Sequence, residues 1–414
     1  MSNENKTLYE ERLQRVVDAI ALKETDRIPF VPFFDGILQS YFGSNYRDNY
    51  YDFRKAGDAT VKFYETFPLC DAQVFQGFRS GKASEIAGTR LIDWPGRPGT
   101  KVPDSSTHQV IEYEFMTQDE YPELLKDYTG FMIRKYIPRA YANLQGLSGV
   151  NLTSVTGLMG TTFLSPLYAP VIQDAYKTLA EVAKLDGEAG ALFMEYSGKL
   201  AAAGFPPFFT GIAEAPYDIL GDYFRGTLGI MEDLMDHEDE ISAACDMFAD
   251  LQIEALQYFR FTPLPVKRVF FPLHKGMDGF MSPKQYEQLY WKPLKKVMMA
   301  LIDMGVTPFI YTEGKYNTRL EYLTDVPKGK VIYHFEEADM KRAKSMLGGI
   351  ACITGNLSIT LMEFGKKEQV VDYCKFLIDT CAPGGGYIFD FNGSLHNAKK
   401  ENLEALFEVF ETYR

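Results

Sequence analysis

Short apolar runs alternate with longer segments of helical period through the second half of the chain. Val269–Leu273, Thr307–Tyr311, Val331–Phe335, Ile350–Thr354 and Gly386–Phe391 read as buried strands. The clearest helix between them spans Ser282–Met304, with Ser282 as N-cap, Pro283 at the first helical position and Gln285 at the third. Strand and helix in alternation predict a parallel sheet with helices on its outside.

The first half is less regular. The N-terminal stretch reads as an amphipathic helix: Thr7 and Glu10 suit a capping box, and Leu13, Val16, Val17 and Ile20 form an apolar stripe. Arg27–Phe34 reads as an opening strand. Leu91–Trp94 and Gln109–Met116, parted by "PGRPGTKVPDSSTH", suggest a hairpin or flap. Asn151–Gly157 and Phe208–Ala213 are candidates for further strands. No linker, repeat or low-complexity tract divides the chain. The expectation is one (β/α)8 barrel, an α/β fold over residues 1–414, with an N-terminal helical extension over 1–26 and an insertion over 89–117.

Composition narrows the function. The chain has 414 residues, 46% of them hydrophobic, and a net charge of -13. That charge gives no attraction for nucleic acid or anionic lipid, and no basic stripe offsets it. There is no secretory h-region and no apolar run of spanning length, so a cytoplasmic protein is expected. The five cysteines lack metal-like spacing and read as buried, inert thiols in a reduced compartment. The 14% aromatic content suits a packed core, or a pocket for a planar substrate. Gly384–Gly386 precedes a strand rather than a helix, which makes it a poor phosphate cradle.

Parallel barrels carry their chemistry at the carboxyl ends of the strands. Glu313 follows one strand, His334 and His274 end two others, and Asp390 lies in the last. Four polar residues on four strands would converge on one mouth, and a metal is one reason to gather them. The plainer alternatives are a loop or capping carboxylate for Glu313, a satisfied core histidine for His334, and packing for His274. His108 and His237 read as solvated.

Several stretches carry a family resemblance: "MSPKQYEQLYWKPLKKVMMALIDMGVTPFIYTEG", "ITGNLSITLM" with Gly355–Asn356, and "GGGYIFDFNG" with "ENLEALFEVF". From about Phe271 to Arg414 the chain resembles the uroporphyrinogen decarboxylase superfamily, and more weakly before that. The decarboxylases grip substrate propionates with arginines near the first strand. Here "RIPFVPFFDGILQSYFG" leaves none between Arg27 and Arg47. Gln76, Gly77 and Phe78 stand where the decarboxylases place a catalytic aspartate, so decarboxylation of uroporphyrinogen is not expected. The superfamily's other large branch is zinc- and cobalamin-dependent methyltransferases. Its thiol-using members carry His-x-Cys-Gly where this chain has Tyr311-Thr312-Glu313-Gly314.

The Glu313-x20-His334 arrangement is similar to that of ether-cleaving methyltransferases of anaerobic bacteria. That resemblance implies zinc on Glu313 and His334. Met298 stands where a further glutamate is found in that branch, so His274 is taken as the third ligand. Tyr311 joins Glu313 and His334 as catalytic, its hydroxyl touching the substrate or supporting a metal ligand, and Asn356 and His396 are assigned to cofactor contact. The implied reaction moves a methyl group from a methoxylated aromatic to cob(I)alamin, with zinc activating the ether oxygen. The chain has no Asp-x-His-x-x-Gly corrinoid motif, so the cobalamin must arrive on a separate corrinoid protein. A homodimer is left open. The alternatives are methyl transfer from a methylcorrinoid to a thiol or folate, and a non-catalytic barrel that binds a tetrapyrrole or corrinoid.

Overall fold

The structure is a computed structural model that describes residues 2–153 and 155–413. Six parallel strands form one sheet in chain order: Gly211–Ile212, Arg268–Leu273, Thr307–Lys315, Ile332–Glu337, Cys352–Thr354 and Tyr387–Ile388. Two extended segments, 30–34 and 71–75, close that sheet into a ring. Val31 N–H donates to Phe389 O and Asp71 N–H to Phe30 O, while Phe208 N–H donates to Gln73 O. Six strands and two segments make the eight staves of a (β/α)8 barrel. Most connections carry an outer helix, among them Phe53–Thr66, Pro170–Ala202, Glu238–Ala255, Lys292–Asp303 and Lys367–Cys381. The connection after Lys315 carries a single short turn, Tyr322–Thr324.

Alternate residues of the staves fill the barrel: Val31, Phe33, Ala72, Val74, Phe208, Phe309, Tyr311, Ile332, Cys352 and Ile388. Beta geometry sends every second side chain to the same face, so each stave turns alternate residues into the barrel. The N-terminal helix, Asn3–Ile20, closes the bottom by adding Val16, Ala19 and Ile20 to this interior. Its N-cap is Ser2, which accepts from Asn5 N–H, and not Thr7. Thr7 lies inside the helix and bonds back to Asn3 O, because the Ser2 side chain five residues earlier already serves the first turn.

Other expectations are corrected in extent. The hairpin exists, but only Ile92–Asp93 and Gln109–Val110 pair. Ser154 lies outside the described residues, and the described residues on either side of it, 151–153 and 155–157, are not in a strand. The Ser282 helix starts as read, with Ser282 and Gln285 capping each other. It then widens into π-type turns over Tyr286–Trp291 before Lys292–Asp303. Pro293 has no N–H to continue a regular ladder, which explains the widening. Among the described residues no helix is long and apolar enough to cross a membrane. All five cysteines are buried and free.

The seam between the first two staves rests on Asp71, which is fully buried. It accepts from Arg15 at 2.5 Å, from Arg27 at 2.6 and 2.7 Å, and from Phe30 N–H at 2.8 Å. Asp71→Ala leaves two guanidinium groups without their shared partner. It should cost about 3–5 kcal/mol, read as a lower urea midpoint with an unchanged slope.

Candidate active site at the barrel mouth

Parallel pairing sets Tyr311 opposite His334 and Thr312 opposite Phe335, with a bulge before Lys315 pairs with Glu337. Tyr311 and His334 therefore share a layer inside the barrel, and their rings stack at 3.8 Å with a 5° tilt. His334 is fully buried. Its Nε2 lies 2.8 Å from Phe391 O, to which it donates, and its Nδ1 has no partner among the described residues. Burial pushes its pKa down to about 3, against the small opposing effect of that bond, so the ring is neutral. Asp390 lies 3.6 Å away and accepts from Phe33 and Phe391 N–H. Burial holds its carboxyl well above the usual range.

Glu313 stands one layer higher, at the open end, with Glu336 on the next strand. Glu336 accepts from Gly314 N–H. Sequence spacing alone aligns Glu313 with His334, but the register makes Glu336 its neighbour in height. Facing Glu313 across 3.8 Å is His274 Nε2, at the end of the Arg268–Leu273 strand. The structure thus brings Glu313 and His274 together at the mouth and stacks Tyr311 on His334 beneath them.

Two residues that sequence reading missed hold His274. Asp218 and Asp222 lie four apart in the helical segment that follows the Gly211–Ile212 strand, so both carboxylates face one way. Asp218 is fully buried and accepts from the backbone N–H of His274 at 2.9 Å and of Lys275 at 3.0 Å, and from Tyr290 O–H at 2.6 Å. Asp222 accepts from His274 Nδ1 at 2.6 Å and also takes Lys275 Nζ. Two aspartates at helical spacing just past a strand, in "YDILGDY", were the available signal.

Charge decides what this group can do. Burial opposes the charged form of His274, but the Asp222 hydrogen bond and the charges of Asp222, Glu313 and Asp218 outweigh it and push the pKa up to about 9. Burial raises Asp218 to about 7, with the Asp222 charge adding to it. Burial would likewise raise Asp222, but His274 and Lys275 hold it below the usual carboxylate range. Burial also raises Glu313, with His274 opposing and Glu336 reinforcing, and it raises Glu214 nearby. At neutral pH the site holds an imidazolium clamped by one carboxylate and facing another.

The three donors expected for zinc do not fit one ion. His334 lies a layer below, with Nε2 committed to Phe391, and among the described residues no cluster of three or more His, Cys, Asp or Glu groups is placed to hold a metal. The carboxylates near His274 are also engaged: Glu214 with Tyr223, Asp222 with His274 and Lys275, Glu336 with Gly314. Asn356 and His396 stand apart from the His274–Glu313 pair. Asn356 donates to Ala338 O at 3.2 Å and accepts from Tyr373 O–H at 2.9 Å, which ties two loops together. His396 contacts Tyr46 O–H and lies 3.7 Å from Asp35. His108 was expected to be solvated, yet it is half-buried beside Arg79.

Fold and site together define a parallel barrel with an acid–base group at the carboxyl ends of its strands. The chain belongs to the uroporphyrinogen decarboxylase (URO-D) family, whose profile matches residues 170–413. It is similar in fold to a methyltransferase from Methanosarcina mazei, with a TM-score of 0.57 and 14% identity over 97% of this chain and 98% of that one. No curated protein sequence matches it.

Two outcomes test this layering. His334→Ala opens a cavity in the packed interior and should cost about 2–5 kcal/mol. Glu313→Ala, on a half-exposed side chain, should change stability by about 0.5 kcal/mol or less. Denaturant melts of both variants decide the matter, and equal losses would put the two residues in one environment. The His274 pKa is raised on folding, from 6.5 to about 9. Its contribution to stability is therefore full below pH 6.5 and is lost as pH rises through about 9. Imidazole NMR should show that titration, and Asp222→Asn should move it downward.

Proposed function

We propose that this chain is a methyltransferase that takes a methyl group from a methoxylated aromatic and passes it to cob(I)alamin carried by a separate corrinoid protein. The observation that carries this reading is the Asp222–His274–Glu313 line at the mouth, a histidine held by one carboxylate and facing another. Support also comes from the family and from the full-length likeness in fold to a protein named as a methyltransferase.

An aryl methyl ether yields its methyl group only if its oxygen can leave. The acceptor's electron pair attacks the methyl carbon, the carbon–oxygen bond breaks, and its pair stays on oxygen. The proton on His274 Nε2 goes to that oxygen and releases a neutral phenol. Asp222 holds the imidazole through Nδ1 and keeps Nε2 turned to the opening, as a carboxylate does for any histidine that must offer one fixed nitrogen. Glu313 stabilises the imidazolium before transfer and orients it afterwards. Tyr311, stacked on His334 below, forms the floor on which an aromatic ring rests. Zinc receives no step, because the expected donors do not gather.

The test is a panel of methoxyarenes with purified cob(I)alamin-loaded corrinoid protein, followed by visible spectra. Wild type should methylate the acceptor. His274→Gln should lose about 10²–10⁴-fold in rate, and the rate should fall as pH rises through about 9, where the imidazolium is lost. Chelator-treated enzyme should keep its activity. Activity that disappears with the metal and returns with zinc would replace proton donation by the zinc-assisted reaction. Incubation with uroporphyrinogen should give no coproporphyrinogen.

A further inference from the structure

The loop after segment 71–75 and the hairpin ahead of Gln109 enclose a cavity on another part of the mouth. Its volume is about 80 Å³, and Asp35, Tyr46, Tyr50, Gln76, Arg79 and His108 are in its walls. That is room for a few waters, hence for a compact polar group and not for a ring. Asp35 follows the first stave and Gln76 and Arg79 follow the second, so the cavity opens on the same end of the barrel as His274.

Arg79 gives the cavity its charge. Its Nη1 donates to His108 Nδ1 at 2.9 Å, and it also reaches the Tyr50 hydroxyl. Burial, helped by the Arg79 charge, pushes the His108 pKa down to about 4, so that imidazole is a neutral acceptor. Among the described residues no carboxylate lies within 4.0 Å of the Arg79 guanidinium. Two other cations of this end are paired: Lys275 with Asp222, and Arg225 with Asp233 and Glu114. Asp35, the one carboxyl in the wall, turns to His396 at 3.7 Å and to Tyr46, and its burial raises its pKa against the charges of His396 and, more weakly, Arg79. A guanidinium whose hydrogen bonds go to two neutral groups has donors left over for an anion.

We propose that this cavity is a carboxylate subsite, and that the substrate is a methoxylated aromatic acid whose carboxylate sits on Arg79. The planar fork of arginine matches a carboxylate with two parallel hydrogen bonds, which an ester cannot accept with equal strength. The substrate class rests on the reaction proposed above; the subsite does not.

Calorimetry without any methyl acceptor tests the two separately. The probes are 4-methoxybenzoate and its neutral methyl ester, titrated into wild type, Arg79→Gln and Arg79→Lys. Wild type should bind the acid about tenfold or more tighter than the ester. Arg79→Gln should lose that preference and Arg79→Lys should keep part of it. Circular dichroism checks that the exposed Arg79 side chain is not needed for folding. If acid and ester bind wild type alike, if neither binds, or if Arg79→Gln keeps the preference, the subsite is overturned. If the acid preference depends on Arg79 while no methyl transfer is found, the subsite stands and the reaction falls.

Discussion

Everything at the open end depends on the register between the strands Thr307–Lys315 and Ile332–Glu337. Tyr311 pairs with His334, and the Thr312 hydroxyl donates to His334 O at 2.7 Å, which pins the alignment from the side chain as well as the ladder. A shift of one residue would turn every interior side chain of the shifted strand outward. If the second strand slipped, it would replace His334 in the packed interior by a neighbour such as Phe335. With the register fixed, the interior becomes a stack: Phe309 and Ile332, then Tyr311 and His334, then Glu313 and Glu336 at the solvent end. The same side-chain type therefore has different chemistry by height. His334 is buried and neutral, whereas His274 at the mouth is charged.

That contrast is a matter of partners more than of depth. Both histidines lose water, and burial alone disfavours the imidazolium in each. His334 meets only the Phe391 carbonyl and the stacked Tyr311 ring, so burial prevails. His274 meets Asp222 directly and Glu313 and Asp218 nearby, so charge prevails. The cost of crowding carboxylates is then spread unequally: Asp222 stays ionised, while Asp218 and Glu313 are raised. Environments that push like groups apart in pKa are how one site comes to hold both a proton donor and an ionised partner.

How much of this was legible in the sequence follows from the range of each interaction. The strands of the second half were readable because each is a short apolar run between helical segments, and Ser282 with Gln285 marks a helix start locally. The first two staves were harder. They bridge their neighbours at single residues, Phe30, Phe34 and Gln73, so they leave little periodic signal. The site was legible as strand ends but not as a constellation. Glu313 and His274 were recognised and do meet. Counting residues puts His334 beside Glu313, because it cannot show where a parallel register begins. Asp218 and Asp222 escaped because they sit on a helix after a different strand, and their contact with His274 spans more than fifty residues.

The clamp on His274 also bears on which kind of catalysis this barrel suits. A histidine whose Nδ1 is held by a carboxylate offers Nε2 either as a metal donor or, once protonated, as an acid. Which of the two applies is set by what faces Nε2. A metal needs several donors converging on one point. Here one carboxylate faces the ring at 3.8 Å and the others are engaged elsewhere. A lone facing carboxylate raises the ring's proton affinity instead, and the negative cluster behind it does the same. The surrounding charges thus favour keeping a proton on His274.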